Sequence, residues 1–195
     1  MNQKNLKKIL RYPVAIISAR GNSKRLKNKN ILNIFGKPMI YWTIKAIKKS
    51  KYVKDFYVSS ESEKILNVSK KYNVKTIKRN KKLSKFNVVK LDVVKDAIRK
   101  ISKKRKPSLI VSLQGNSPEI KSFHIDKLIK HLIKYNLNEV VSVDNNFNQD
   151  AAIRVMKYNA LFSKNLSTHL GFVVTNLKDI HYKKDLNSLK KNAFK

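Results

Sequence analysis

The loop at 19–30 places Arg20, Lys24, Arg25, Lys27 and Lys29 close together, with Gly21 and Ser23 between them. Cations at this density suit a polyphosphate, which needs positive side chains and backbone N–H groups that can come close to it. Gly21 gives the backbone freedom for that approach, and Ser23 offers a hydroxyl donor. The spacing is neither GxxxxGK[ST] nor GxGxxG, so the loop is not a P-loop and a dinucleotide fold is not indicated. On charge alone it reads equally as a solvated basic loop in a basic protein.

A second loop, Gln114-Gly115-Asn116-Ser117-Pro118, follows the most strand-like run in the chain. Alone, Gly-Asn-Ser-Pro is a turn; its place after a strand makes it a candidate site. Other chemistries lack their signatures. His124, His131, His169 and His181 have no metal-ligand spacing, and the first two read as helix-surface residues. No Ser-His-Asp order with an elbow motif is present. Without cysteine there is neither a disulfide nor a thiolate metal site. Phe35, Tyr41 and Trp42 read as core, as do Tyr52, Tyr57 and Tyr72.

The elements that must carry these loops follow from apolar spacing. Val14-Ala15-Ile16-Ile17-Ser18 reads as a buried strand. Gly36-Lys37-Pro38 punctuates the chain, with Pro38 suited to the first turn of a helix over 39–49. A strand over 56–58 precedes a helix over 61–72, for which Ser60 and Glu63 have capping-box spacing. A short strand over 74–77, a basic connector over 78–85 and a helix over 87–102 come next. A strand over 109–113, a helix over 122–135 and a strand over 140–143 follow. The pattern then weakens to short strands at 153–156 and 171–174 and a helix at 183–191. This alternation predicts an α/β fold, a three-layer α/β/α sandwich with a mainly parallel sheet. Ligands in such folds sit beyond the carboxyl ends of the strands, so the loops starting at Ala19 and Gln114 share a rim.

The order of residues from Ile16 to Tyr41, IISARGNSKRLKNKNILNIFGKPMIY, resembles the opening signature of the sugar-acid cytidylyltransferases, which include the CMP-sialic acid and CMP-KDO synthetases. That signature runs roughly A-R-x-x-S-K-x-(L/I)-x-x-K-N, then G-K-P-(L/M)-I. Arg20, Ser23, Lys24, Leu26, Lys29, Asn30, Gly36, Lys37 and Pro38 match it. The resemblance implies a Rossmann-like nucleotide-diphospho-sugar transferase fold. It also implies transfer of CMP from CTP to a sialic acid-like or KDO-like sugar acid, with release of pyrophosphate, as in sugar activation for polysaccharide synthesis. By the same resemblance Arg20, Ser23 and Lys24 hold the triphosphate, Lys29 neutralises charge at the α-phosphate, and Asn30 contacts the nucleotide. These roles suit phosphoryl transfer, which is mostly positioning and charge neutralisation.

The second loop resembles a hybrid of the family's Q-P-T-S-P and Q-G-D-E-P motifs. Gln114 is then implied to contact the sugar acid, and Asn116 stands where the KDO type has a metal-binding Asp. The stretch from Asp179 to Leu186, DIHYKKDL, resembles a closing motif D-(I/V)-D-T-x-x-D-L whose acids bind magnesium. Asp179 and Asp185 match two of them. His181 takes the place of an Asp, a poor substitute for a cation that prefers oxygen. Asp185 reads equally as an early-helix acid favoured by the macrodipole. Phe86-Asn87-Val88-Val89-Lys90 replaces a D-T-A-S-S-like segment. The stretch 150–169 is shorter than the arm that in the family supports dimerisation and closes the sugar site. A homodimer is the expected partner state. The resemblance covers most of the chain and is strongest in the N-terminal half.

The chain has 195 residues, enough for one well-buried core: a basic extension over 1–12 and a single nucleotidyltransferase domain over 13–195. The hydrophobic share of 42% argues against a disordered basic protein. No apolar run approaches the ~18 residues of a membrane span, and none after the basic N-terminus suits a secretory signal, so a cytoplasmic enzyme is expected. The net charge of +33 invites a nucleic-acid reading. Its cations are scattered, mostly Lys, and accompanied by many Asn and Ile, as an AT-rich genome dictates, so nucleic acid is not the expected partner. The field still concentrates an anionic substrate. Two other functions stay open: a reduced family member that binds nucleotide without catalysis, and a basic nucleic-acid-binding module.

Overall fold

The computed structural model describes residues 3–85, 87–165 and 167–189, with side chains from residue 6 onward. Helix α1 (Gln3–Ile9) leads into strand β1 (Pro13–Ser18). A short hairpin of β2 (Asn33–Ile34) and β3 (Lys37–Pro38) precedes α2 (Met39–Lys48). Then come β4 (Asp55–Ser60), α3 (Glu63–Lys70), β5 (Lys75–Lys78), α4 (Lys90–Ser102), β6 (Leu109–Gln114) and α5 (Ser122–Lys134). β7 (Glu139–Val143), β8 (Gln149–Lys157), α6 (Tyr158–Phe162) and β9 (Leu170–Val174) follow. Short 3-10 helices lie at Lys29–Ile31, Lys81–Ser84 and Lys183–Ser188.

The main sheet has the order β5-β4-β1-β6-β8-β7-β9. Its neighbours are parallel except around β8, which runs antiparallel to β6 and β7. β1 is apolar from Pro13 to Ile17 because both its faces are covered. Ala15 and Ile17 join Ile40, Ile44, Ile65, Ile125 and Leu128 of α2, α3 and α5 on one side. Val14 and Ile16 join Val94, Ala97 and Ile98 of α4 and Leu161 of α6 on the other. This is the three-layer α/β/α sandwich that the alternation of elements predicts. A third cluster, Ile34, Met39, Trp42, Ile180 and Leu189, ties the hairpin to the C-terminal segment.

Several expectations are corrected. The strand expected at 153–156 is the nine-residue β8, lengthened through a register shift against β7 where Ala151 takes a φ of 57°. The helix expected from 87 starts at Lys90, because Val89 is extended. The helix expected from 61 starts at Glu63, with Ser62 at its N-cap; Ser60 ends β4 and its hydroxyl accepts the Ser62 N–H, so no Ser60–Glu63 capping box forms. Pro38 precedes α2 as its N-cap rather than lying in its first turn. The helix expected at 183–191 is a 3-10 helix ending at Ser188; Leu189 is extended, and residues 190 and 191 lie outside the described residues. Phe86 of the replaced segment is also outside them.

Aromatic and histidine placements differ too. Phe35 is exposed, because it occupies the turn between β2 and β3 with a φ of 49° beside Gly36 at 80°. Trp42 is core, its indole N–H donating to the Ile34 carbonyl at 3.1 Å. Tyr41, Tyr52, Tyr57 and Tyr72 are half-buried around the core rather than inside it. His124 and His131 are half-buried rather than on the helix surface. The Nδ1 of His124 accepts the Lys121 N–H at 3.1 Å and closes the start of α5.

Candidate functional site

The carboxyl ends of β1 and β6 lie side by side, Ser18 opposite Gln114, so the two loops open onto a common rim. A cavity of about 580 Å³ lies between them. Arg20, Ser23, Lys24, Lys29, Asn30, Gln114 and Asn116 all line it. Asp179 and Asp185 do not, whereas His181, between them in sequence, does.

The loop after β1 is held by a carboxylate from the next strand over. Glu61 Oε1 accepts the N–H of Gly21 at 2.8 Å and that of Asn22 at 3.4 Å. Its Oε2 pairs with Arg79 at 2.5 Å, and both side chains are nearly buried. Burial pushes the Glu61 carboxyl up, but the hydrogen bond and charge of Arg79 overcome it and hold it down to about 2. Gly21 must be glycine here: a Cβ would lie 2.5 Å from the Ser62 Cβ. Gly21→Ala is therefore expected to pull the loop off Glu61, lowering stability by about 1–3 kcal/mol and CTP affinity about tenfold. Thermal melts and calorimetric titration with CTP check both; unchanged values remove Glu61 as the loop's anchor.

The far end of the loop is braced on itself. Asn30 is buried, and its Nδ2 donates to the Arg20 carbonyl at 2.8 Å. Gly115 fits against it, since a Cβ there would meet Asn30 Oδ1 at 3.0 Å and the Ala19 Cβ at 3.2 Å.

The backbone of Ile180 joins the third piece. Its N–H donates to the Asn116 carbonyl at 2.8 Å. Its carbonyl accepts from Asn116 Nδ2 and from Lys29 Nζ, each at 3.1 Å. Its side chain is anchored in the third cluster, and Arg25 lies over the Tyr182 ring at 5.3 Å. Burial pushes the Lys29 ammonium down, as do Arg20 and Arg25, against the attraction of Asp179.

Asp179 is a nearly buried carboxylate that accepts a hydrogen bond from the Ser117 hydroxyl, with its other oxygen 4.0 Å from His181 Nε2. Burial pushes its carboxyl up, while Ser117, Lys90, His181 and Lys29 pull it back. Asp185 accepts the N–H groups of His181 at 2.7 Å and Tyr182 at 2.8 Å, so it caps the 3-10 helix as an early-helix acid does. Among the described residues no three of His, Cys, Asp and Glu gather around a point that could hold a metal. Asn30, Gln114 and Asn116 bring side-chain amide groups to the cavity, whereas the Asp179 carboxylate lies outside its lining, bonded to Ser117 of the second loop. Oxygen donors of this kind would suit a magnesium ion carried mainly by a bound triphosphate and water, with few ligands from the protein.

Several polar atoms at the cavity are buried with no protein partner: Ser18 Oγ, Ser23 Oγ, Asn30 Oδ1 and Arg79 Nε. Buried polar groups are rarely left so, and here they cluster where a phosphate or a base would satisfy them. Arg79, Glu61, Ile180 and Lys90 are absent from the residues that sequence reasoning selects. Arg79 did carry a signal: it is an arginine within a run of lysines, and arginine is favoured in buried ion pairs. Glu61 and Ile180 carry none, because their partners lie far away in sequence.

A profile of the cytidylyltransferase family matches residues 14–184. Over 132 residues, 67% of the chain, it is 33% identical to an N-acylneuraminate cytidylyltransferase of Streptococcus agalactiae, covering 31% of that protein. Over 86 residues, 44% of the chain, it is 38% identical to a pseudaminic acid cytidylyltransferase of Campylobacter jejuni, covering 37% of that protein. The chain thus spans about a third of the length of these curated relatives. Its fold is similar to that of CMP:2-keto-3-deoxy-manno-octonic acid synthetase in complex with CTP. The TM-score is 0.73, at 14% identity, over 91% of this chain and 96% of that one. No helix among the described residues is long and apolar enough to cross a membrane. The chain belongs to the cytidylyltransferase family.

Proposed function

We propose that the chain transfers a cytidylyl group from CTP to a hydroxyl of a sugar acid and releases pyrophosphate. The observation that carries this reading is the cavity between the two loops. It joins the cations Arg20, Lys24, Arg25 and Lys29 to buried, unpartnered Ser18, Ser23 and Asn30 oxygens. A nucleoside triphosphate answers both demands: its phosphate oxygens pair with the cations and accept from the Ser18 and Ser23 hydroxyls, and a base N–H can donate to Asn30 Oδ1. The names of the curated relatives support a sugar acid as acceptor.

In this mechanism Arg20, Ser23 and Lys24 hold the β- and γ-phosphates. Lys29, fixed through the Ile180 carbonyl, faces the α-phosphate and stabilises the charge that builds there. Gln114 and Asn116 border the acceptor. The acceptor hydroxyl attacks the α-phosphorus in line, the bond to the bridging oxygen breaks, pyrophosphate leaves, and the hydroxyl proton passes to solvent. Asp179 would be the protein carboxylate for a magnesium ion, which when bound would supply charge neutralisation on the phosphates. Asp185, engaged in capping, is not needed for this.

The test mixes purified protein, CTP and magnesium with a panel of sialic acid, KDO and related nonulosonates. Pyrophosphate release with at least one of them is expected. A folded protein that releases none with any of them sinks the reading. A second reading, nucleotide binding without turnover, draws on the absence of Asp179 and Asp185 from the cavity lining. CTP binding by calorimetry without product would favour it.

A further inference from the structure

Lys90 is the first residue of α4 and lines the cavity, yet no phosphate-grip argument uses it. Its Nζ donates to the Ala151 carbonyl at 2.7 Å. An ammonium has three donors, so this bond leaves others to satisfy. No carboxylate of the described residues lies within ion-pair distance of it. Asp179 and Asp150 attract it only from beyond contact distance, and Arg154 repels it; both carboxylates accept other hydrogen bonds. Asp150 accepts from Ala152 N–H and from the hydroxyls of Ser142 and Thr175. Asp179 accepts from Ser117, and Arg154 is paired with Glu139 through Nε at 3.0 Å and an Nη at 2.8 Å. Part of the Lys90 side chain reaches the surface, but its ammonium is enclosed, and burial pushes it down to about 8. An enclosed cation whose carboxylates stand beyond contact distance is only partly compensated, so a directly paired anionic ligand would stabilise it.

The sheet fixes where that anion must sit. The triphosphate grip is anchored on the β4 side, through Glu61 and Gly21. Lys90 is anchored on β8, three strands across in the order β4-β1-β6-β8. At about 4.8 Å per strand this separates the two anchors by about 14 Å. Lys29, assigned to the α-phosphate, is tied to the Ile180 carbonyl beside Asn116, just past the end of β6 and one strand from β8. Lys90 therefore stands next to the α-phosphate, on the side away from the β- and γ-phosphates. Ala151 holds a left-handed φ of 57° at the β7–β8 irregularity, and irregularities of this kind re-aim backbone groups and often lie beside sites.

We infer that Lys90 binds the carboxylate of the acceptor sugar acid and so selects acidic over neutral sugars. This rests on the function proposed above. In a 2-keto sugar acid the carboxylate and the anomeric hydroxyl share one carbon. A salt bridge to the carboxylate therefore also places the attacking oxygen.

The experiment compares wild type, Lys90→Met and Lys90→Arg, using the acceptor acid and its carboxamide, with CTP affinity measured by calorimetry. Lys90→Met is expected to raise KM for the acid about 100-fold, with a smaller change in kcat and CTP affinity within twofold. Lys90→Arg restores part of the loss. The carboxamide, already a poor acceptor, is equally poor with wild type and Lys90→Met. The melting temperature of Lys90→Met is expected to rise, which separates this outcome from misfolding. Equal losses for acid and carboxamide, or a fall in CTP affinity matching the rise in KM, overturn the inference. If wild type turns over sugar acids and Lys90→Met is unchanged, the inference alone falls. If wild type binds CTP but neither binds nor turns over any sugar acid, the inference falls together with the acceptor part of the proposed function.

Discussion

Lys29→Met is expected to lower kcat for cytidylyl transfer by about 1,000-fold, the scale of removing a preorganised group that stabilises charge in a transition state. Lys29 sits between two demands. Its Nζ donates to the Ile180 carbonyl at 3.1 Å, and its charge interacts with Asp179, Arg20 and Arg25. Burial disfavours its ammonium, so the charge is held where it is of most use to an anion. Methionine keeps the apolar stem and removes only the charge. The Ile180 carbonyl keeps its bond from Asn116 Nδ2, so the fold should persist. CTP binding is expected to weaken far less than kcat, because Arg20 and Lys24 remain. Pyrophosphate release under saturating CTP, calorimetry and a thermal melt make the measurement. A kcat within tenfold of wild type would falsify the role assigned to Lys29.

Glu61→Ala is expected to lower stability by about 3–5 kcal/mol, the effect of breaking a buried ion pair. It leaves Arg79, which is 4% exposed, without its carboxylate, and it frees the N–H groups of Gly21 and Asn22. The same pair gives the protein an acid-labile element. The Glu61 carboxyl lies at about 2 in the fold against 4.5 when unperturbed. The unfolded chain thus binds the proton more readily, and stability rises with pH across this window. The contribution is fully present above about pH 4.5 and is lost as pH falls towards 2. A shift of this size corresponds to about 3 kcal/mol. Urea melts of wild type and Glu61→Gln at pH 5, 4 and 3 isolate it. Wild type should lose the larger share of stability on acidification. Parallel slopes for the two proteins would show that Glu61 is not the group responsible.

These expectations concern residues of unequal visibility in the sequence. Lys29 stands in an ordered run with Arg20, Ser23, Lys24 and Asn30, so its candidacy is local information. Glu61 reads only as the start of a helix. Its hydrogen bonds reach Gly21, 40 residues back, and Arg79, 18 residues on. Asp179 and Asp185 match a motif, yet the fold buries one against Ser117 and turns the other to cap a 3-10 helix. Motif position gives no direction for a side chain. β8 shows the same limit: antiparallel pairing and a shifted register leave little trace in apolar spacing, whereas doubly covered β1 announces itself as a continuous apolar run.

By itself the sequence determined the alternating α/β layers, the rim shared by the loops at 19 and 114, and the cationic loop whose residue order marks the family. Each depends on near neighbours: covered strands need unbroken apolar runs, helices need one apolar face, and a phosphate loop needs cations with a flexible backbone. Tertiary structure alone decided what holds that loop and what stands across from it. Glu61 and Arg79 clamp Gly21, the Ile180 backbone gathers Lys29 and Asn116, and Lys90 reaches the carbonyl of a strained Ala151 from the next helix. Those contacts join loops, helices and strand ends that are close in the fold but distant in the chain, and periodicity carries no record of such pairings.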